Sequence, residues 1–276
     1  MRTTVTVMID QPVTLARSLD QFFTRADVAD CCVAAAKKHV DALSGEWYWL
    51  EPSAGSGAFL ERLPYPRTGL DIVSLRPDVS EIDFLSWKPN DLKRRVAVIG
   101  NPPFGKNASL ARRFFDHAAR FADVIAFILP RTFEKPMFVN RLDRHMHLVS
   151  STVLEDCSFE FAGEPYAVPT SFQIWERRPT LRPLAEAIRS HADFDFVPQP
   201  IGDFAFQRVG ARAGLVSVEG LKKSPQSHYF LRANIGRGTV LDRLRSIDWS
   251  PIKIRTAGNP SIGKSELVGA YQAVFG

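Results

Sequence analysis

The chain has 276 residues, of which 45% are hydrophobic and 24% are charged, and its formal net charge is +5. This is ordinary globular composition, and since no run of 18 apolar residues occurs, the sequence predicts no membrane-spanning helix and no membrane partner. The N-terminal residues lack the basic segment, apolar core and small-residue cleavage site of a secretory signal, which predicts a cytoplasmic protein.

Alternating apolar runs and helix-like stretches between residues 24 and 178 predict an α/β fold, with a mainly parallel sheet covered by helices. A helix is predicted at 25–40, and a second, amphipathic helix at 107–121, where apolar residues recur at helical spacing. Seven strands are predicted at 47–51, 68–72, 81–84, 96–100, 124–129, 148–154 and 172–176.

A domain boundary is predicted near Arg178, where the sequence RRPTLRP follows the last of these strands. Residues 1–178 form the predicted catalytic domain, and residues 179–276 a small α+β extension with short strands and short helices. The first segment has 22 basic and 22 acidic residues, whereas the second has 13 and 8. The basic extension suits contact with a polyanion, although a solvated surface can carry the same excess.

A glycine turn follows the first predicted strand, in the sequence LEPSAGSGAFL at 50–60. Gly55 and Gly57 allow the backbone to approach a ligand closely, because they have no Cβ and tolerate positive φ. Glu51 and Ser53 are polar neighbours of that turn. An ordinary turn between a strand and a helix explains the same pattern.

Two acidic residues follow at the positions where a nucleoside would be bound. Asp71 ends the second predicted strand, twenty residues after Glu51, where an acid of a doubly wound fold accepts hydrogen bonds from ribose hydroxyls. Asp83 offers a carboxylate to an adenine amino group, and Phe84 beside it offers an aromatic face. Both acids are also explained as surface residues.

The fourth predicted strand ends abruptly in Asn101-Pro102-Pro103-Phe104. Two prolines remove backbone donors and force an extended turn, so the carbonyls of the turn are available to an NH2 donor. The Asn101 amide oxygen can accept a second amino hydrogen, and the Phe104 ring can stack on a planar base. The alternative is a proline turn capped by asparagine.

Residues 20–178 resemble the amino-methyltransferases that make N6-methyladenine. DQFFT at 20–24 is similar to their upstream cofactor motif, EPSAGSGAF to their glycine loop, and Asn101–Phe104 to their catalytic tetrapeptide. The resemblance implies a Rossmann-like seven-stranded methyltransferase sheet, S-adenosyl-L-methionine as cofactor, and catalysis by Asn101, Pro102, Pro103 and Phe104. The cofactor-binding residues that it implies are Phe22, Phe23, Thr24, Glu51, Ser53, Gly55, Gly57, Asp71, Ile72, Asp83, Phe84 and Asn101.

Three positions depart from the family pattern. Arg25 stands where the family commonly has proline, Glu51 where it often has aspartate, and Phe104 where it usually has tyrosine, although phenylalanine is also known there. The tetrapeptide also occurs in RNA adenine methyltransferases and in enzymes that methylate a glutamine amide. It therefore indicates that the methyl acceptor is an NH2 group, but not which polymer carries that group. The order of the motifs favours DNA. RNA, a protein glutamine, and a non-catalytic nucleic-acid-binding module of the same fold are the alternatives.

Three further residues are predicted to contact the substrate. Lys106 follows the tetrapeptide and can meet a phosphate, and Phe172 can replace the stacking that a flipped base loses, although it is also explained as core. Lys264 lies in GNPSIGKS at 258–265, which has the letters of a phosphate loop and follows a strand-like stretch at 252–255. Too few residues follow for a nucleotide-hydrolysing domain, so we predict a basic loop that contacts nucleic-acid phosphates or closes on the catalytic domain.

No metal site is predicted. His145 and His147 would share one face of a strand, but no third ligand is placed by the sequence, so solvated or hydrogen-bonded histidines are expected. The three cysteines, Cys31, Cys32 and Cys157, have no metal-binding or redox spacing and are predicted to be reduced and structural.

Overall fold

The computed structural model describes residues 23–89, 93–154, 158–161, 164–256 and 258–276. The chain folds into two compact units. The first unit contains residues 23–130 and Leu142–Pro183, and the second contains Arg131–Arg141 and Leu184–Gly276. In the described ranges, no helix is long and apolar enough to cross a membrane.

The first unit is built on a seven-stranded sheet. Its strands, in chain order, are β2 (Trp47–Glu51), β3 (Arg67–Asp71), β4 (Val79–Glu81), β5 (Arg95–Gly100), β6 (Val124–Pro130), β7 (Met146–Val153) and β10 (Thr170–Arg177). They lie side by side in the order β4-β3-β2-β5-β6-β10-β7. The first five in this order are parallel, and β10 is antiparallel to both β6 and β7.

Two helices belong to this unit, α1 (Ala26–Asp41) and α2 (Ser109–Ala118). Every residue of β6 is buried, which is typical of a central parallel strand that is covered on both faces. The expected α/β fold with a Rossmann-like seven-stranded sheet is therefore confirmed. The third predicted strand is displaced: it covers Val79–Glu81, so Asp83 and Phe84 lie in the turn beyond it.

A small second sheet in this unit was not predicted from the sequence. It joins β1 (Phe23–Thr24), β8 (Phe159–Phe161) and β9 (Glu164–Tyr166) in antiparallel order. Thr24 is paired with Phe159, and the Arg25 N–H donates to the Ser158 carbonyl at 3.2 Å. The residues that precede the first helix are thus held by a distant segment of the chain.

The second unit contains a four-stranded antiparallel sheet. The strands are β11 (Phe194–Val197), β12 (Phe204–Gln207), β13 (Val216–Ser217) and β14 (His228–Ala233), and the helices are α3 (Pro136–Val139), α4 (Arg237–Ser246), α5 (Ser250–Lys253) and α6 (Lys264–Phe275). The strands lie in the order β11-β14-β12-β13. Phe206, Leu231, Leu244 and Leu267 belong to the buried core. The expected small α+β architecture is confirmed, but the strand-like stretch at 252–255 begins in a helix instead.

Candidate functional site

A cleft of about 460 Å³ lies in the first unit, beside the carboxyl ends of β2, β3 and β5. In open α/β sheets, ligands bind at this end of the strands. The predicted site residues that line the cleft are Phe23, Thr24, Glu51, Ser53, Gly55, Asp71, Ile72, Asp83, Phe84, Asn101 and Pro103. The structure therefore brings together residues from several separate segments of the chain.

The glycine turn after β2 has the backbone that its sequence requires. Gly55 has φ +49° and Gly57 has φ +86°, both in the left-handed region that favours glycine. A Cβ at Gly57 would lie 2.8 Å from the Arg76 Nη1 atom. Gly57 therefore shapes the turn behind the cleft, whereas Gly55 lines the cleft itself.

Asp71 ties the end of β3 to the glycine turn. This residue is only 8% exposed, and its Oδ2 accepts a hydrogen bond from the Gly55 N–H at 2.7 Å. Its Oδ1 accepts from the Val73 N–H at 3.2 Å. Each oxygen retains capacity for a second hydrogen bond, and Asp71 itself lines the cleft.

Glu51 is the most deeply buried acid of the cleft, with 1% of its surface exposed. Burial raises the pKa of this carboxyl well above 4.5, and the nearby negative charge of Asp71 raises it further, while the backbone N–H groups of Leu60 and Phe59 act against the increase. Its Oε2 has no hydrogen-bond partner within the described part of the chain. A buried acceptor in this state favours a ligand that donates a hydrogen bond.

Asp83 and Phe84 line the cleft from the turn after β4. Asp83 is exposed, and its Oδ1 accepts from the Leu85 N–H at 2.9 Å. The buried Phe84 ring packs at 5.2 Å from the Phe114 ring and edge-on at 4.8 Å from the His117 ring. This turn therefore combines an accessible carboxylate with a fixed aromatic wall.

The Asn101–Phe104 turn follows β5 directly. Gly100, the last residue of that strand, has φ +155°, and the Ser53 hydroxyl donates to the Asn101 carbonyl at 3.0 Å. Asn101 and Pro103 line the cleft, whereas Pro102 is buried and is not among its described lining residues. The hydrogen bond from Ser53 holds this turn next to the glycine turn.

Phe104 is placed differently from the expectation that its ring faces a bound base. The residue is 7% exposed, does not belong to the described lining of the cleft, and packs its ring edge-on against Phe159 at 6.4 Å. Its carbonyl accepts from the N–H groups of Leu110 and Ala111 at 3.0 and 3.2 Å. In this structure, Phe104 thus fixes the start of α2, and Lys106 is exposed in the short helical turn before that helix.

The predicted FFT segment lies at the cleft where it is described. The Phe23 ring approaches Gly55 so closely that a Cβ there would be 3.3 Å from its Cε1 atom. Thr24 is buried and also lines the cleft. Phe22 lies outside the described residues.

Helix α2 contributes cleft residues that were not predicted as cofactor ligands. Leu110, Arg113 and Phe114 line the cleft. Arg113 and Phe114 both lie within the amphipathic helix that the sequence predicts at 107–121. Helical periodicity identified the face, but the sequence contained no signal that the first turns of this face would meet a cleft.

Four other residues singled out in the sequence are not among the described residues that line the cleft. Phe172 is buried in β10, opposite Ile128 in the sheet, and Lys264 is in the second unit with its Nζ 4.6 Å from the centre of the Phe196 ring. His145 and His147 are hydrogen bonded to the carbonyls of Arg178 and Thr180, as expected for structural histidines.

Two of the cysteines are described. Both Cys31 and Cys32 are unbridged, and burial raises the pKa of the Cys32 thiol to about 12. Cys157 lies outside the described residues. Within the described residues, no three His, Cys, Asp or Glu side chains form a cluster that could hold a metal ion.

Comparisons with known proteins give matches to solved structures alone: no protein-family model and no curated protein sequence matches the chain. The chain is similar to a proposed RNA methyltransferase from Pyrococcus horikoshii, with 15% identity and a TM-score of 0.46 over 61% of this chain and 99% of that one. It is also similar to a proposed class I S-adenosylmethionine-dependent methyltransferase from Listeria monocytogenes, with 15% identity and a TM-score of 0.46 over 58% and 63%.

A third similar structure is the methyltransferase subunit of a type I restriction-modification system from Streptococcus thermophilus. The identity is 16% and the TM-score 0.41, and the match covers 60% of this chain and 48% of the subunit. The chain thus corresponds to about half the length of that subunit.

Proposed function

We propose that this protein transfers a methyl group from S-adenosyl-L-methionine to the N6 amino group of adenine in a nucleic acid, with DNA favoured over RNA. The observation that carries the proposal is the single cleft in which the glycine turn, two buried carboxylates and the Asn101–Pro103 turn meet. Each of these parts was expected at such a site from its sequence. Ser53 and Asn101, which are hydrogen bonded to each other there, are 48 residues apart along the chain.

The residues present fit the proposed cofactor. Glu51 has a buried oxygen without a hydrogen-bond partner in the described chain, which suits the ammonium group of the methionine portion. Asp71 retains acceptor capacity for ribose hydroxyls, and Asp83 with Phe84 offers a carboxylate and an apolar wall to the adenine. When bound, this cofactor supplies a methyl group activated by a positively charged sulfur.

The Asn101–Phe104 turn would hold the target amine. The lone pair of an exocyclic amine is delocalised into the purine ring, so this nitrogen is a weak nucleophile. Hydrogen bonds from its two hydrogens to the Asn101 Oδ1 and the Pro102 carbonyl would favour a pyramidal nitrogen with its lone pair directed at the methyl group. The turn would thus hold the amine in line with that methyl group, and the surplus proton of the methylated nitrogen would pass to solvent.

Stacking on the target base requires a change at Phe104. Its ring packs against Phe159 in this structure, so it must turn toward the cleft before it can cover an extruded adenine. Lys106 and Arg113 lie close by in the chain and carry positive charge for the phosphates that flank that base. The basic segment 179–276 adds a surface for the polyanion, and the order of the motifs remains the reason for favouring DNA.

The experiment is transfer of labelled methyl from S-adenosylmethionine to duplex DNA, single-stranded DNA, total RNA and ribosomal proteins in parallel. Digestion to nucleosides identifies the product, and Asn101→Ala is the matched inactive variant. We expect N6-methyladenine in DNA, lost in the variant. Label in RNA would show that the substrate is RNA and not DNA. Label in protein would show that the methyl acceptor is a side-chain amide and not adenine. Cofactor binding without any transfer would indicate a binding module.

A further inference from the structure

An arginine from outside the cleft holds the glycine turn from behind. Arg76 lies in the turn between β3 and β4, and its Nη1 donates to the Ser56 carbonyl at 3.2 Å. Ser56 lines the cleft, whereas Arg76 is not among the described residues that line it. A side chain from another segment of the chain thus fixes a backbone group of the turn that forms the cleft wall.

Gly57 makes room for this guanidinium. A Cβ at Gly57 would lie 2.8 Å from the Arg76 Nη1, 2.9 Å from its Cδ and 3.0 Å from its Cζ. Three atoms of one side chain therefore occupy the space that any other residue would need. Glycine is required at this position for its positive φ and also because Arg76 packs over it.

Two acidic side chains fix the orientation of Arg76. Asp78 accepts from the Arg76 Nε at 2.8 Å and from its Nη2 at 3.1 Å, a bidentate pair that holds the plane of the guanidinium. Glu61, in the short helical turn that follows the glycine turn, accepts from Nη1. Both acids are about half exposed, so these ion pairs add little to the stability of the fold. Their effect is to aim Nη1 at the Ser56 carbonyl.

The charge of Arg76 also acts on Glu51, the buried acid at the start of the glycine turn. Burial raises the pKa of Glu51, and the negative charge of Asp71 raises it further. The backbone N–H groups of Leu60 and Phe59 lower this pKa, and so does the positive charge of Arg76. Arg76 therefore favours the ionised form of Glu51, which is the form that suits a cationic ligand.

We propose that Arg76 is a positioning residue for the cofactor: its guanidinium holds the Ser56 carbonyl and keeps the glycine turn in the shape that the ligand meets. Arg76 acts on the ligand through this turn and through the charge of Glu51, without contacting it. The inference rests on the cofactor of the proposed function, but not on the identity of the methyl acceptor.

The test measures the Kd of the full chain for S-adenosylmethionine by isothermal titration calorimetry. Arg76→Met should raise the Kd about tenfold, because the Ser56 carbonyl loses a charged donor and Glu51 loses a nearby positive charge. Arg76→Lys should raise it by less, since lysine keeps the charge but has no planar fork to bind Asp78 and Ser56 together. In both variants, kcat at saturating cofactor should change little.

Arg67→Met is the matched control. Arg67 also donates to backbone carbonyls of a neighbouring turn, those of Glu61 and Leu63 at 3.1 and 2.7 Å, but neither residue belongs to the described lining of the cleft. The Kd of this variant should stay close to that of the unmodified protein. A Kd raised equally in Arg67→Met and Arg76→Met would overturn the proposal.

The pH dependence of binding separates a positioning role from a purely structural one. Loss of the positive charge in Arg76→Met should raise the pKa of Glu51 further, so the increase of affinity with pH should move to higher pH. Arg76→Lys keeps the charge and should keep the unmodified curve. A loss of fold stability alone would not move the curve in Arg76→Met, and an unmoved curve would overturn the proposal.

Asp78→Asn keeps the test valid if Arg76→Met does not fold. Asp78 is exposed, and its replacement leaves Arg76 in the chain but releases the plane of the guanidinium. The Kd should then rise by about threefold. If Asp78→Asn and Arg76→Lys both left the Kd unchanged, the proposal would be wrong.

Methyl transfer by the unmodified protein separates this inference from the proposed function. If the protein makes N6-methyladenine but the Kd is unchanged in Arg76→Met, the inference is wrong and the proposed function stands. If the Kd depends on Arg76 but no nucleic acid is methylated, the proposed acceptor is wrong and Arg76 remains a positioning residue of the cofactor site.

Discussion

Two strand ends border the same cleft, and the turns that follow them differ in residue type: glycines shape one turn, and prolines shape the other. After β2, residues 51–57 combine two left-handed glycines with a buried acid that has an unpartnered oxygen among the described residues. After β5, residues 101–104 form a proline-rigid turn whose last carbonyl caps a helix. The first end suits a charged ligand that must come close to the backbone, and the second suits an amine held in one orientation.

This difference predicts that the two ends control different steps. Substitutions in the first should change cofactor affinity, and substitutions in the second should change the rate of transfer at saturating cofactor. If substitutions at both ends altered the same quantity, the comparison would be wrong.

The largest effect is expected for Asn101→Ala. Loss of the amide oxygen removes one of the two groups that orient the target amine, so kcat should fall by about 100-fold or more. Although the family resemblance also places Asn101 beside the cofactor, cofactor affinity should fall far less than kcat, since the glycine turn is intact. Asn234→Ala, at an exposed asparagine whose side chain donates to the Ala192 carbonyl at 3.1 Å, is the control and should retain full activity.

Glu51→Gln should lower the affinity for the cofactor instead of the rate of transfer. Replacing the carboxylate by an amide removes a charged hydrogen bond to the ligand, so the Kd should rise about 10–100-fold, while kcat at saturating cofactor changes little. Calorimetric titration with S-adenosylmethionine measures the first quantity, and methyl transfer the second. A Kd unchanged in this variant would show that Glu51 does not meet the ligand.

The raised pKa of Glu51 predicts pH dependence of opposite sign for stability and for binding. The pKa of Glu51 in the folded protein lies above the ordinary value of 4.5. Protonated Glu51 therefore contributes stability to the fold that is fully present below pH 4.5 and is lost as the pH rises through the folded pKa. A cationic ligand favours the ionised form, so affinity should increase with pH by up to about tenfold per unit below the folded pKa.

Glu51→Gln is again the control, because an amide does not titrate. Its Tm without ligand should exceed that of the unmodified protein most clearly at high pH, and its weak affinity should vary less with pH. Thermal melts and titrations across a pH series measure both, and parallel pH curves for the two proteins would contradict the assignment to Glu51.

The smallest effect is expected for Gly57→Ala, which tests the backbone of the glycine turn. A positive φ and a Cβ position 2.8 Å from Arg76 should together destabilise the fold by roughly 1 kcal/mol or more. Gly238→Ala, with open space at its Cβ, should not destabilise it. Chemical denaturation measures the difference, and equal stabilities would show that Arg76 moves aside at no cost.

Six of the seven strands of the main sheet were predicted to within two residues of their bounds, because each contains a short run of apolar or β-branched residues. The strand at 81–84 was displaced because Phe84 lies in the turn that follows Val79–Glu81, and its ring is buried against Phe114 and His117 of α2. The helix at Ser250–Lys253 was mistaken for a strand because so short a run of apolar and basic residues has no distinguishing periodicity.

The sequence by itself determined the glycine turn, the acids at the strand ends and the Asn101–Phe104 turn, because these depend on local backbone chemistry. Only the tertiary structure decided that the Glu51 Oε2 has no partner among the described residues, that Phe104 packs against Phe159, and that Phe23 is held beside Gly55. It also decided that Arg131–Arg141 joins the C-terminal unit and that Arg76 donates to the Ser56 carbonyl. Burial and contact at these positions arise from segments far apart in the chain, and no local pattern specifies which distant residues meet.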